Sequence, residues 1–194
     1  MFNINLMNIF EGLVRNYMNF NLTTENDKIE ILKKELSYIS IVGEVLGYSS
    51  IIKGINNESK SISDKIEIEW RNYNDEEGSV SNEVFLYFSQ ELDLSKDILT
   101  INNLVEKINN KIETKGFIQI IEVSSKGRID YLNKILREGK RFKEVDVLII
   151  YKVWNIRDRT SNYYSYLFEE DNLIKQKNAH LYYDQFGILK MKFI

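Results

Sequence analysis

From Val84 to Trp154 the chain alternates twice between strand-like and helix-like patterns, and no other feature limits its fold as strongly. Apolar runs rich in branched side chains cover residues 84–88, 117–123 and 145–154, a composition typical of strands. Between these runs, apolar residues recur every three or four positions, as they do on the buried side of a helix. A strand–helix–strand–helix–strand order predicts a fold of mixed α and β class.

The first of these helices has clear signals at both ends, which predict that it runs from about Lys96 to Lys115. Ser95 is a favourable N-cap, and Asp97 places negative charge at the positive end of the helix dipole. Gly116 suits the position just after a helix. The buried side would be formed by Ile98, Ile101, Leu104, Val105, Ile108 and Ile112. The second helix is expected over residues 129–136.

The segments before this core add helices and a strand. Apolar residues at helical spacing predict a helix over residues 5–19 and a second helix that begins after Thr24. Residues 43–54 are apolar but interrupted by glycines, so they fit either a helix or a strand. Alternation of apolar and charged residues over 66–71 predicts a strand with one wet face. A polar, turn-prone stretch separates it from residues 84–88, so an antiparallel hairpin is expected.

The segments after Trp154 are expected to add a helix over residues 161–175 and a hairpin over 181–193. The predicted fold is therefore α+β, with about six strands in one mixed sheet, helices packed on it and a helical N-terminal segment. No Pro-rich or Gly/Ser-rich linker interrupts the 194 residues, so we expect a single domain. Residues 1–57 would form its mainly helical part and residues 58–194 its α/β body.

The chain lacks the residues on which most catalytic and metal sites depend. It has no cysteine, which excludes disulfides, thiolate zinc sites, iron–sulfur ligation and cysteine nucleophiles. Its one histidine, His180, excludes metal sites built from several histidines. It also has no Gly-x-Gly-x-x-Gly or P-loop motif for a nucleotide phosphate. We therefore expect a protein that is not an enzyme and that carries no cofactor and no metal.

Two short patterns approach metal-dependent sites without matching them. Asp75, Glu76 and Glu77 lie among alternating oxygen ligands like those of a calcium loop, but Glu77 stands where the tight turn needs glycine. Glu122 and Lys126 end a strand as in metal-dependent nucleases, yet three residues separate them where the nuclease motif has one. The sequence favours a solvated hairpin loop in the first case and no nuclease site in the second.

Composition indicates a low-GC genome, bacterial or phage. The chain has 27 isoleucines and 21 asparagines but a single alanine and no proline, which follows the bias of AT-rich codons. No positive charge precedes Arg15, and the longest strongly apolar run covers only residues 147–151. Neither a signal peptide nor a membrane span is expected, so we predict a cytoplasmic protein.

Charge is distributed unevenly along the chain. Residues 58–97 carry 11 acidic and 4 basic side chains, whereas residues 126–143 carry 7 basic and 2 acidic ones. Surfaces of opposite sign favour head-to-tail self-association or a charged partner. The net charge of −3 and the pI near 5.4 argue against nucleic acid, which generally binds strongly basic domains.

Tyrosines supply a further candidate surface. The helix expected over residues 161–175 would carry tyrosines on several sides, and one sheet cannot bury them all, so some would serve an interface. We therefore expect other protein subunits as partners, in a homo-oligomer or a larger assembly. The candidate partner-binding residues are Lys126, Arg128, Lys134, Arg137, Lys140, Arg141, Lys143, Asp75, Glu76, Glu77, Tyr163, Tyr164 and Tyr166.

Residues 84–160 resemble the catalytic domain of serine recombinases in the order of their elements. Residues 85–91 are similar to that family's Tyr-x-Arg-x-Ser strand end, and residues 145–159 resemble its Asp-Val-Leu-Val strand with the Arg-rich turn that follows. Ser89 would be the nucleophile, but Tyr87 replaces an arginine of the motif. The resemblance therefore implies a degenerate relative, because phosphoryl transfer needs the missing positive charge.

A second resemblance concerns architecture alone. An N-terminal helix, a strand pair, a helix like that over 96–115 and a closing strand are similar to small ring-forming proteins of tailed phages, such as tail terminators and connectors. This resemblance implies a structural component of a virion, acting through protein interfaces. The alternatives are a degenerate recombinase-like or regulatory module that binds DNA or protein, and an immunity-type inhibitor.

Overall fold

The structure is a computed structural model, and its described residues contain four α-helices. It describes residues 4–20, 28–56, 61–74, 78–110, 113–139, 145–169 and 172–194. The helices are α1 (Leu6–Asn16), α2 (Lys28–Val45), α3 (Asp97–Asn110) and α4 (Gly127–Gly139). Short 3₁₀ turns follow α1 and precede α3. Within the described ranges, no helix is both long enough and apolar enough to cross a membrane.

Eight strands form one sheet whose spatial order is the same as their order in the chain. They are β1 (Tyr48–Asn56), β2 (Ser61–Asn74), β3 (Ser79–Glu91), β4 (Gly116–Glu122), β5 (Asp146–Asn155), β6 (Thr160–Glu169), β7 (Asn172–Tyr183) and β8 (Leu189–Phe193). Strands β3, β4 and β5 are parallel, because α3 and α4 cross between them. All other neighbouring pairs are antiparallel. The mixed α and β class is therefore confirmed.

The expected count of about six strands was too low. The glycine-punctuated segment 43–54 supplies the end of α2 and most of β1. The described residues between 161 and 175 belong to β6 and to the start of β7 instead of a helix. In β6 alternate side chains enter two different cores: Tyr163 and Leu167 on one face, Tyr166 and Phe168 on the other. A strand buried on both faces thus accommodates aromatic side chains that one face of a helix could not.

The two faces of the sheet carry separate cores. Helices α1 and α2 cover one face, where Ile68, Trp70 and Phe88 lie in the first core. Helices α3 and α4 cover the other face, where Phe117 and Ile149 lie in the second core. Because each face is covered, the central strands β4 and β5 are apolar along most of their length.

The hairpin of β2 and β3 extends past the strands that flank it. The first residue of β1, Tyr48, pairs with Asn72 of β2, and the pairing of β3 with β4 begins only at Leu86. Tyr73 and Asn74 pair with Val80 and Ser79 alone, beyond the last pairing of β1 and the first pairing of β4. We call residues 73–74 and 79–84, together with Gly78, the hairpin arm. Most of its side chains are exposed.

Candidate functional site

A groove runs between helix α4 and the strands β6 and β7 on the second-core face of the sheet, with a cavity of about 410 Å³. Its helical wall is formed by Lys126, Asp130, Asn133 and Arg137. Its floor and opposite wall are formed by Tyr166, Phe168, Leu173 and Gln176. We call this feature the α4 groove.

Local sequence periodicity explains why these side chains converge. Asp130, Asn133 and Arg137 are spaced by three or four positions, so they lie along one side of α4, and Lys126 directly precedes the helix. The neighbouring side of the helix carries Ile129, Leu132 and Leu136, which pack into the second core and fix α4 against the sheet. On β6 the period of two aims Tyr166 and Phe168 at the same face.

The floor of the groove is mostly apolar. Phe168 is buried, and Leu173 pairs with it in register across the β6–β7 turn while staying half exposed. The ring of Tyr166 packs edge-on against Tyr151 with 5.8 Å between centroids. Burial, and to a lesser degree nearby Asp130, raises the pKa of Tyr166, so its hydroxyl stays neutral and accepts a hydrogen bond from Gln176 at 3.3 Å.

The cations at the rim of the groove are not neutralised by acidic neighbours. Within the described residues, neither Lys126 nor Arg137 forms an ion pair. The ammonium of Lys126 instead lies 5.4 Å from the centroid of the Tyr164 ring, a distance at which a cation–π attraction acts. The groove therefore combines an apolar floor with two positive charges available to a ligand, against the single negative charge of Asp130.

Two other basic residues of the same helix face different surroundings. Arg128 pairs with Asp97 at the start of α3, with its Nε 2.8 Å from the carboxylate. Lys134 lies 3.7 Å from Glu138 on the exposed side of α4. Of the basic residues predicted to bind a partner, the structure therefore brings only Lys126 and Arg137 into the groove. Lys140, Arg141, Lys143, Asp75, Glu76 and Glu77 lie outside the described residues.

The predicted tyrosine surface is divided between the two faces of β6. Tyr166 lines the groove and Tyr164 lies beside it. Tyr163 is completely buried in the first core, where its hydroxyl donates a hydrogen bond to Glu35 at 2.5 Å. The structure thus places Tyr163 in the interior and away from any surface, because neighbouring residues of a strand point to opposite faces.

The groove residues Phe168 and Leu173 were not selected as candidate site residues from the sequence. Both fall in the segment predicted as a helix, and a helix would not place them opposite each other across a tight turn. Polar turn residues near 170–171, followed by alternating residues in β7, are the signal that could have indicated a hairpin here.

Ser89, the residue that matches the recombinase nucleophile, lies in a smaller cavity of about 180 Å³ between α3 and strands β2–β4. Its hydroxyl is buried and donates a hydrogen bond to the Gln119 side chain at 2.9 Å. Lys65, Lys96 and Lys107 also line this cavity. Within the described ranges, no three His, Asp or Glu side chains are grouped as ligands of one metal ion.

Comparisons with known proteins do not assign this chain to a family. No protein-family model matches the chain, and no curated protein matches it. A match among solved structures is the central domain of yeast acetyl-CoA carboxylase, with 13% sequence identity and a TM-score of 0.40. The match covers 84% of this chain, which spans only 26% of the length of that structure.

Proposed function

We propose that this chain is a non-enzymatic assembly protein that binds an acidic segment of another protein subunit in the α4 groove. The observation that carries the proposal is the pair of cations, Lys126 and Arg137, without ion-pair partners among the described residues, at the rim of an apolar floor. Such a groove suits a segment that offers carboxylates to the rim and an apolar or aromatic side chain to the floor.

The energetics favour this kind of ligand. Arginine and aromatic residues are enriched at the points that contribute most to protein–protein binding, and the groove holds Arg137 beside Tyr166. Apolar burial against Phe168 and Leu173 would supply affinity, at about 25 cal/mol per Å² of surface removed from water. The two cations would mainly supply orientation and rate of encounter.

Features of the groove also weigh against a nucleic acid strand. Asp130 lies between the two cations on α4 and would repel a phosphate backbone, which carries a charge at every nucleotide. The whole chain has a net charge of −3, which repels nucleic acid at longer range. A protein segment with one or two carboxylates would be repelled less, both by Asp130 and by the net charge of the chain.

The architectural resemblance to ring-forming proteins of tailed phages predicts the kind of particle in which this assembly protein would act. A structural protein of a phage-type particle, in its tail or connector, would use such a groove to hold a neighbouring subunit. The partners would then be other protein subunits of a homo-oligomer or larger assembly, and the role would need no catalytic residue.

A random copolymer of glutamate and tyrosine is a suitable probe, because it offers carboxylates and aromatic rings together. We expect fluorescence anisotropy to show binding by the wild-type chain and an affinity at least about tenfold lower for Arg137→Glu, a change of about 1.4 kcal/mol. Lys134→Glu makes the same charge change on the same helix, outside the groove, and should keep nearly the wild-type affinity.

The proposal is wrong if the copolymer does not bind, or if both charge reversals weaken binding equally. It is also wrong if an oligo-dT strand of about 20 nucleotides competes at equal concentration, since that result would indicate a groove for nucleic acid.

A further inference from the structure

We infer that the segment bound in the α4 groove is the β2–β3 hairpin of a second copy of this chain. This inference rests on the proposed function and names its partner. The relevant juxtaposition is an exposed hairpin arm, whose two strands are joined in the sequence by Asp75, Glu76 and Glu77, and, elsewhere on the same molecule, a groove with two cations that lack acidic partners among the described residues.

The arm has the chemistry that the groove would accept. The sequence places Asp75, Glu76 and Glu77 between the two described halves of the arm, and Glu83 on β3 is exposed as well. Tyr73 and Val80 are directly paired residues of the arm, with 49% and 39% of their surfaces exposed. The sequence of the arm and of its connecting residues therefore combines carboxylates with apolar side chains, a composition complementary to Lys126 and Arg137 beside the apolar floor.

The arm cannot fill the groove of its own chain. Strand β2 is separated from β7 by five strand spacings in the sheet, a lateral distance of roughly 24 Å. The described residues of β2 beyond Asn72 are only Tyr73 and Asn74, which extend the arm by roughly 7 Å. An arm that occupies the groove must therefore belong to another molecule. The net charge of this chain does not prevent contact between oppositely charged surfaces.

The edges of the sheet are poor alternatives for association between copies. At the outer edge of β8, Lys190 and Lys192 alternate with apolar residues, and lysines on an edge strand oppose pairing with another strand. At the outer edge of β1, the register shifts between Lys53 and Ile55, where Gly54 has a φ of +92°. A bulge of this kind also interrupts edge-to-edge pairing.

Because the arm and the groove are different surfaces, their contact is heterologous. Each molecule would offer one arm and one groove. This predicts a simple complementation experiment with two variants of the full chain: an arm variant, Glu76→Lys/Glu77→Lys, and a groove variant, Lys126→Glu/Arg137→Glu.

Sedimentation velocity should show that the wild-type chain associates beyond its 23.0 kDa monomer. Each variant alone should remain monomeric at concentrations where the wild type associates, with affinity lowered by at least about tenfold. An equimolar mixture of the two should form a heterodimer and nothing larger, because only one intact arm and one intact groove remain. Lys134→Glu should associate like the wild type.

A wild type that stays monomeric, an arm variant that still associates, or a mixture that stays monomeric would overturn the inference. The copolymer experiment separates this failure from failure of the proposed function. If the copolymer still binds and Arg137→Glu still lowers the affinity for it, the groove has a different acidic partner. If the copolymer does not bind, both conclusions fail.

Discussion

The ammonium group of Lys152 on β5 lies 3.0 Å from the carboxylate of Glu35 on α2, and both side chains are buried. Gln90 and Tyr163 also donate hydrogen bonds to this carboxylate, at 2.7 and 2.5 Å. A buried carboxylate is stable only when its charge is paired and its oxygens accept hydrogen bonds. Glu35 therefore fixes the position of α2 over the centre of the sheet.

Removing one member of this pair should destabilise the fold strongly. We expect Lys152→Met to lower the free energy of unfolding by about 3–5 kcal/mol, because the Glu35 carboxylate loses its ion-pair partner without regaining water. The double variant Glu35→Gln/Lys152→Met removes both charges and keeps an acceptor for Tyr163, so it should recover at least half of the loss. Urea unfolding measures the free energy of unfolding of both variants. A loss below about 1 kcal/mol in Lys152→Met would contradict the expectation.

Glu67 on β2 should make stability depend on acidic pH. Burial alone would raise the pKa of this carboxyl, but hydrogen bonds from Lys107, Lys65 and Tyr87 lower it from 4.5 to about 2. Between these two pH values the unfolded chain binds a proton that the folded chain does not. The contribution of Glu67 is therefore present above pH 4.5 and is lost as the pH falls towards 2.

We expect Glu67→Gln to flatten this part of the pH–stability curve, measured as urea midpoints at several pH values. Lys107→Met should flatten it as well, because it removes a donor that lies 2.8 Å from the carboxylate. If the slope of the curve below pH 4.5 were the same in the wild type and in both variants, Glu67 would not have the lowered pKa.

The apolar floor of the α4 groove can be tested separately from its charges. Leu173 is 47% exposed, so Leu173→Asn should leave the fold intact. It should weaken copolymer binding by about three- to tenfold, since apolar contact is lost. This loss should persist at high salt, whereas the loss caused by Arg137→Glu should shrink as the Debye length falls from ~10 Å at 0.1 M to ~3 Å at 1 M.

Ile174 provides the matched control for Leu173. It is also exposed, but it does not line the groove, so Ile174→Asn should leave the affinity unchanged. Equal losses in the two variants would indicate a general effect of the β6–β7 hairpin and would remove Leu173 from the binding site.

The central part of the fold was predictable because its signals are local. The strand over 117–123, the helix over 129–136 and the strand over 145–154 each follow from hydrophobic periodicity, and the structure has β4, α4 and β5 there. The hairpins over 66–88 and 181–193 were predictable from alternation and turn residues. The segment predicted as a helix over 96–115 contains α3 (Asp97–Asn110) after a short 3₁₀ turn, but the predicted end was too late, because residues 113–115 are not helical.

Strand β6 was not predictable in this way, because its tyrosines serve two cores whose existence depends on the whole sheet. Tyr163 bonds to Glu35, which is 128 positions away in the chain. Only the basic residues of the groove were predictable, because charge clustering in the sequence indicated Lys126 and Arg137. Phe168 and Leu173 line the same groove because of the register between β6 and β7, which the sequence alone does not show.

Because the sheet order repeats the chain order, a nascent polypeptide could add each new strand beside the one it has just finished. Such neighbour-by-neighbour growth limits the sequence separation between pairing strands, which generally speeds folding. Helix α1 is an exception, as α2 is, since it packs against β8 and Phe10 meets Phe193 edge to face. Helix α1 is synthesised before β8 and must therefore wait for this strand, so losing β8 would leave α1 without one of its docking surfaces.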